Sequence, residues 1–164
     1  MDENGKLINA LQSVPLFQQM SEAHFNKILQ ISTLVDVEAK QEIFREGDPE
    51  DFLYVVVQGR VAIEMFVPSR GRIRIHTAEP MDEVGWSSVT PVVRRRTASA
   101  RTVLPSSLIK IDAVKLRQFS EEDCSLGYII MRRICNVIAS RLLTTRLQLL
   151  DVFAHPGKED VDHE

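Results

Sequence analysis

Cysteine is nearly absent from this chain. Cys124 and Cys135 are its only two, both inside what reads as one long helix, so neither a disulfide framework nor a Cys-x-x-Cys zinc or redox site can be drawn. No apolar run approaches the roughly 20 residues of a membrane span, and Met1-Asp2-Glu3-Asn4-Gly5 lacks the positive start of a secretion signal. The expectation is a soluble, cytoplasmic protein with no membrane attachment. Charge of one sign is also missing: 20 Lys and Arg stand against 23 Asp and Glu, a net charge of −3, which gives no global field for nucleic acid. His24, His76, His155 and His163 lie far apart without metal-ligand spacing, and no Gly-x-Ser-x-Gly elbow or Walker loop occurs. Ser87 and Ser88 have no evident base, and the alternating strand positions carry Val, Ile and Met where a cupin enzyme would need a His/Glu metal cluster. The expectation is therefore no enzyme, no metal and no cofactor.

What is present suits one domain. With 164 residues, 44% of them hydrophobic, the chain can bury one core without disulfides or metal. Leu7, Ile8 and Leu11 recur at helical spacing, Pro15 breaks the pattern, and Ser21 is placed to cap a second run through Phe25, Ile28, Leu29 and Ser32. Two short helices are expected. From Val35 to Ile111 the period changes to two: Leu53, Val55 and Val57 precede a Gln58-Gly59 turn and Val61, Ile63 and Met65 follow it, a pattern that predicts a hairpin with one buried face. Another turn, Pro68-Ser69-Arg70-Gly71, leads into Arg72 to His76, and Leu108 to Ile111 supply a late strand. Asp112 is placed to cap a helix, Ser120-Glu121-Glu122-Asp123 resembles a capping box, and a long helix runs from about 121 to 153. The fold class is mainly β with flanking helices, a jelly-roll barrel over about 35–111 inside a domain of 1–154, followed by a flexible tail over 155–164.

The segment from Gly85 to Ala100 carries the functional signal. A glycine and small hydroxylated residues stand upstream of Arg94-Arg95-Arg96 and Thr97-Ala98-Ser99, which is what an anionic ligand needs. A polar surface loop with a solvated basic run is the plainer reading of the same residues.

The order of helices, strands and long helix, with Ile43-Phe44-Arg45-Glu46-Gly47-Asp48 and Leu53-Tyr54-Val55-Val56-Val57-Gln58-Gly59-Arg60-Val61, resembles the cyclic-nucleotide-binding domain of catabolite activator-type regulators and kinase regulatory subunits. That resemblance implies a double-stranded β-helix jelly roll and a phosphate-binding cassette between two strands. Val84, Gly85, Trp86 and Ser87 fall at its opening, and Arg96, Thr97 and Ala98 at its phosphate end. Arg94 and Arg95 are expected to stay in water. The implied ligand is a cyclic nucleotide, cAMP or cGMP, or a related phosphorylated small molecule, and the implied role is signalling to a downstream partner protein.

Trp86 stands where most members carry the glutamate that accepts from the ribose 2′-hydroxyl, and Trp offers one donor and no acceptor. The glycine usual a few residues earlier is also missing from Pro80-Met81-Asp82-Glu83-Val84. Trp86 then has three readings: stacking on base or sugar while Glu83 or water accepts from the ribose, selecting another anionic ligand, or filling the pocket as core. In the last case the protein is a non-binding structural or interaction protein.

The resemblance also places the long helix over the ligand's base, where Thr144 and Thr145 are candidate contacts, although helical threonine commonly bonds its own backbone one turn back. Arg141 and Arg146 read as solvent-facing or dimer-rim charges. The apolar stripe through Ile130, Ile134, Val137, Ile138, Leu142, Leu143, Leu147, Leu149 and Leu150 is wider than one barrel contact needs, so a homodimer through this helix is expected. Ala154 to Glu164 cannot form a helix-turn-helix, so no direct nucleic-acid contact is expected.

Overall fold

The computed structural model describes residues 3–90, 92–93 and 95–154. Helices α1 (Glu3–Ser13), α2 (Pro15–Gln18) and α3 (Glu22–Gln30) come first, one more than the two expected. Pro15 opens a single separate turn at the position where its missing N–H costs nothing. Ser21 caps α3, its hydroxyl accepting from the His24 N–H at 3.2 Å. Ser32, read as helical, instead begins the first strand, and its hydroxyl donates back to the Ile28 carbonyl.

Eight strands follow, β1 (Ser32–Val37), β2 (Glu42–Phe44), β3 (Phe52–Gln58), β4 (Val61–Val67), β5 (Gly71–Ala78), β6 (Glu83–Val84), β7 (Ser99–Thr102) and β8 (Ser106–Asp112). They form two antiparallel four-stranded sheets in the orders β1-β8-β3-β6 and β2-β7-β4-β5, the jelly-roll sandwich expected.

The hairpin expected across Gln58-Gly59 does not form. β3 pairs with β6 and β8, whereas β4 pairs with β5 and β7, so this turn crosses from one sheet to the other. The error lies in treating β3 as half-buried. Leu53 and Val55 pack outward under the helices, while Tyr54 and Val56 pack into the barrel, so both faces are covered and the apolar run is continuous. Gly59 is required at the crossing: it has φ +92°, and a Cβ there would fall 2.6 Å from the Pro105 carbonyl and 2.7 Å from Ser106 Cα. The true hairpin is β4–β5, closed between Val67 and Gly71.

After β8, Asp112 caps α4 (Ala113–Glu122) by accepting from the Lys115 N–H at 3.0 Å. Ser120 is no cap, since it lies inside α4 with its hydroxyl on the Leu116 carbonyl. Asp123 takes that role for α5 (Cys124–Ala154), accepting from the N–H groups of Ser125 and Leu126 at 3.1 and 3.3 Å. Hydrogen bonds from Ser125 and Leu126, with His24 beside it, hold its carboxyl far below the usual carboxylate range. The first half of α5 packs Leu126, Ile130 and Ile134 against α1–α3 and the sheet, and Val137 is buried one turn further on. Both cysteines are free and exposed. The tail expected over 155–164, with His155 and His163, lies outside the described residues, as does Arg94.

Candidate functional site

Two sequence blocks far apart in the chain meet at this site. The Glu46-Gly47-Asp48 turn after β2 bonds to the segment before β7: the Arg96 N–H donates to the Asp48 carbonyl at 2.9 Å, and the Gly47 N–H to the Arg96 carbonyl at 2.8 Å. Glu46 N–H donates to the Ser99 hydroxyl at 3.0 Å. These backbone bonds fix the register of the arginine run. Arg95 points outward and reaches the Gly47 carbonyl at 2.8 Å, while Arg96 turns inward and is 4% exposed.

Between the two sheets lies a cavity of about 200 Å³. Val84, Gly85, Trp86, Ser87, Arg96, Thr97 and Ala98 line it from the cassette, and Thr144 and Thr145 from α5, so every site residue expected from sequence reaches one space. Gly85 has φ +77° and opens a 3₁₀ turn, Trp86–Val89. A Cβ on Gly85 would sit 2.2 Å from Arg96 Nη1, so the bare backbone is what admits the guanidinium.

Arg96 is an under-compensated buried cation. It donates to the carbonyls of Gly85 (3.2 Å) and Phe52 and lies over the Phe44 ring at 4.0 Å, but its Nε has no hydrogen-bond partner. Burial pushes the guanidinium below its ordinary pKa, against the through-space pull of Glu50, Tyr54, Asp51 and Asp48. Glu50, itself buried, accepts from the Ser87 hydroxyl. Since arginine does not give up its proton in proteins, the arrangement is a fixed positive charge that lacks a contacting counter-ion among the described residues.

Trp86 is half-buried. It packs against the core cluster under the helices and also lines the cavity, so it narrows the space without closing it. Glu83, considered as the ribose acceptor, is 3% exposed and paired with Arg133 of α5 at 2.5 and 3.3 Å. Both of its oxygens are engaged. At the turn that lacks the family glycine, Met81 itself takes φ +76°, a left-handed backbone that L side chains adopt at a cost.

The second half of α5 and β5 opposite it bring to the cavity two residues, Arg141 and His76, that the sequence did not place there. Arg141, expected in solvent or at a dimer rim, lines the cavity and donates from Nη1 to His76 Nδ1 at 2.9 Å, with Asp82 at 4.0 Å. His76 lines the cavity too, with Nε2 buried and without a hydrogen-bond partner among the described residues. Thr144 and Thr145 donate to the carbonyls of Ser140 and Arg141 one turn back, as helical threonine commonly does, while still bordering the cavity. Arg146 is exposed. Sequence reasoning missed Phe44, Ile63, Ile75, His76 and Arg141 as lining residues. The signal for Arg141 was available: positions 126, 130, 134, 137, 141, 144/145 and 148 recur at helical spacing on one face, so the residue after the buried Val137 had to face the barrel.

A family model described as the cyclic nucleotide-binding domain matches residues 34–123. A CRP-like cAMP-activated global transcriptional regulator of Mycobacterium tuberculosis is 28% identical over 118 residues, 72% of this chain and 50% of the relative. A Rhodopseudomonas palustris protein provisionally named a potassium channel protein is 28% identical over 154 residues, 92% of this chain and 34% of the relative. The chain thus spans half or less of the length of these curated relatives. Among solved structures, a cyclic nucleotide-binding domain from Methylobacillus flagellatus superposes with TM-score 0.74 at 18% identity, covering 95% of this chain and 86% of that one. At that identity the likeness carries the fold alone.

Proposed function

Since the chain belongs to the cyclic nucleotide-binding domain family, we propose that it is a ligand-sensing regulatory domain that takes a cyclic nucleotide, cAMP or cGMP, or a related phosphorylated small molecule, and signals to a partner protein. The observation that carries this reading is Arg96. A guanidinium 4% exposed, with an unpaired Nε and no contacting carboxylate among the described residues, is costly to keep. A cyclic phosphate placed on Arg96, the Thr97 hydroxyl and the small-residue turns at Gly85 and Ala98 would supply the missing counter-charge.

The output follows from what precedes the cassette. Asp82 and Glu83 stand just ahead of Gly85, with Glu83 paired to Arg133 and Asp82 near Arg141, both on α5. A ligand that draws in Gly85 and Arg96 therefore moves the residues that hold α5, and it acts through its different affinity for two positions of that helix. The exposed leucines of the same helix, Leu142, Leu143, Leu147, Leu149 and Leu150, make α5 the proposed homodimer contact and the surface a downstream protein reads. No catalytic step and no cofactor is assigned.

Calorimetric titration with cAMP and cGMP tests the reading: at least one binds, and Arg96→Ala abolishes it while the variant stays folded. No heat from either nucleotide overturns the cyclic-nucleotide form of the reading, and undiminished binding by Arg96→Ala overturns the phosphate site. The second reading, an interaction protein whose pocket Trp86 fills, predicts tryptophan fluorescence that stays flat across a panel of nucleotides and phosphorylated metabolites.

A further inference from the structure

The half of the cavity away from Arg96 offers donors. Arg141 can only donate, so its 2.9 Å contact with His76 requires an unprotonated Nδ1 and puts the imidazole proton on Nε2. That Nε2 is buried and without a hydrogen-bond partner, 3.9 Å from Asp82. Of the acceptors nearby, both oxygens of Glu83 are held by Arg133, and Asp82 Oδ2 accepts from the Glu79 N–H at 3.0 Å. Arg141 is anchored through His76 on β5, and two turns further along the same face of α5 Gln148 donates to the Ile75 carbonyl at 3.1 Å. Its Nη1 is on His76 and its Nη2 stands 4.0 Å from Asp82, beyond hydrogen-bond reach, so among the described residues the fork keeps N–H groups open to a ligand.

We propose that Arg141, positioned by His76, reads the nucleobase and makes the site prefer guanine over adenine. This rests on the cyclic-nucleotide reading of the cavity. Guanine presents O6 and N7 as a coplanar pair of acceptors that a guanidinium fork meets with two parallel hydrogen bonds, whereas adenine puts the N6 amino donor in place of O6, against the N–H groups of Arg141. Thr144 and Thr145, whose hydroxyl protons are on their own backbone, offer adenine a weaker and more exposed acceptor. A good bidentate pair discriminates between bases by about ten- to a hundredfold.

Calorimetry on the full chain with cGMP, cIMP and cAMP tests this. Inosine keeps O6 and N7 but lacks the 2-amino group, so cGMP and cIMP should both bind about ten- to a hundredfold tighter than cAMP. Arg141→Gln should bring all three within about threefold of one another, whereas Arg96→Ala should abolish binding of all three. Arg141→Lys, which keeps the charge and removes the planar fork, should also lose the preference, and it serves if Arg141→Gln does not fold. Equal or tighter cAMP binding, a preference for cGMP that cIMP does not share, or a preference that survives both Arg141 variants would overturn the assignment while leaving the phosphate site standing. Binding by none of the three would overturn the cyclic-nucleotide reading, and this assignment with it.

Discussion

The two halves of α5 share one continuous helix and treat the barrel differently. Up to Val137, the inward face is apolar and buried: Leu126, Ile130, Ile134 and Val137 close over the core. Beyond it, the same face carries Arg141, Thr144 and Thr145 against the cavity and Gln148 on the Ile75 carbonyl, while Leu142, Leu143, Leu147, Leu149 and Leu150 look outward and are exposed. The first half is fastened by burial, which is insensitive to small ligands. The second half is held by a few polar contacts comparable in strength to those a ligand makes, so it is the part a ligand can move.

The largest effect should therefore come from Ile134→Ala, which empties a site 2% exposed and should cost about 2–5 kcal/mol in urea unfolding. Leu147→Ala in the second half should cost less than about 0.5 kcal/mol in the monomer while weakening self-association in sedimentation equilibrium. A loss from Leu147→Ala as large as that from Ile134→Ala would show that the second half is packed as firmly as the first. Next in size is the ion pair at the junction. Arg133→Met leaves Glu83 buried without its partner and should cost about 3 kcal/mol at neutral pH, most of it recovered in the double variant Arg133→Met/Glu83→Leu. Arg141→Gln, on the more exposed half, should cost less than about 1 kcal/mol. Gly85→Ala then separates site from scaffold: its Cβ meets the guanidinium of Arg96 rather than backbone, so it should suppress phosphate-dependent binding at least tenfold in titration. Its cost in stability should be about 1–2 kcal/mol, from the left-handed backbone.

This contrast also marks how far the sequence could be read. The long helix, the Asp112 and Ser21 caps and the residues converging from Gly85 and Arg96 were legible because each depends on local chemistry: a cap oxygen, a positive φ, an arginine beside small residues. The Gln58-Gly59 crossing was misread because alternation reports that a strand is buried but not which strand it pairs with. In β3 both faces are covered by different parts of the chain, a fact of tertiary packing. Arg141 was placed in solvent on the general habit of arginine, although the helical period carried it onto the buried face. His76 could not be found at all, since nothing local to β5 announces that α5 will bring a guanidinium to it.

The smallest effect, and the most selective for the second half, is that of pH. Burial holds the His76 pKa below its ordinary value of 6.5, and Arg141 adds to this, while Asp82 pulls the other way. A base whose pKa is lowered by folding binds fewer protons folded than unfolded, so the contact is fully present above pH 6.5 and is lost as pH falls below it. Protonation puts a hydrogen on Nδ1, the atom that accepts from Arg141, and turns that bond into a clash of two cations. Amide exchange, corrected for its intrinsic pH dependence, should therefore quicken around residues 141–150 between pH 7.5 and 5.5, by under about 1 kcal/mol because the pair is partly solvated. Residues 126–137 should not change. His76→Gln should remove the difference, and an equal response in both halves would show that the pH effect acts elsewhere.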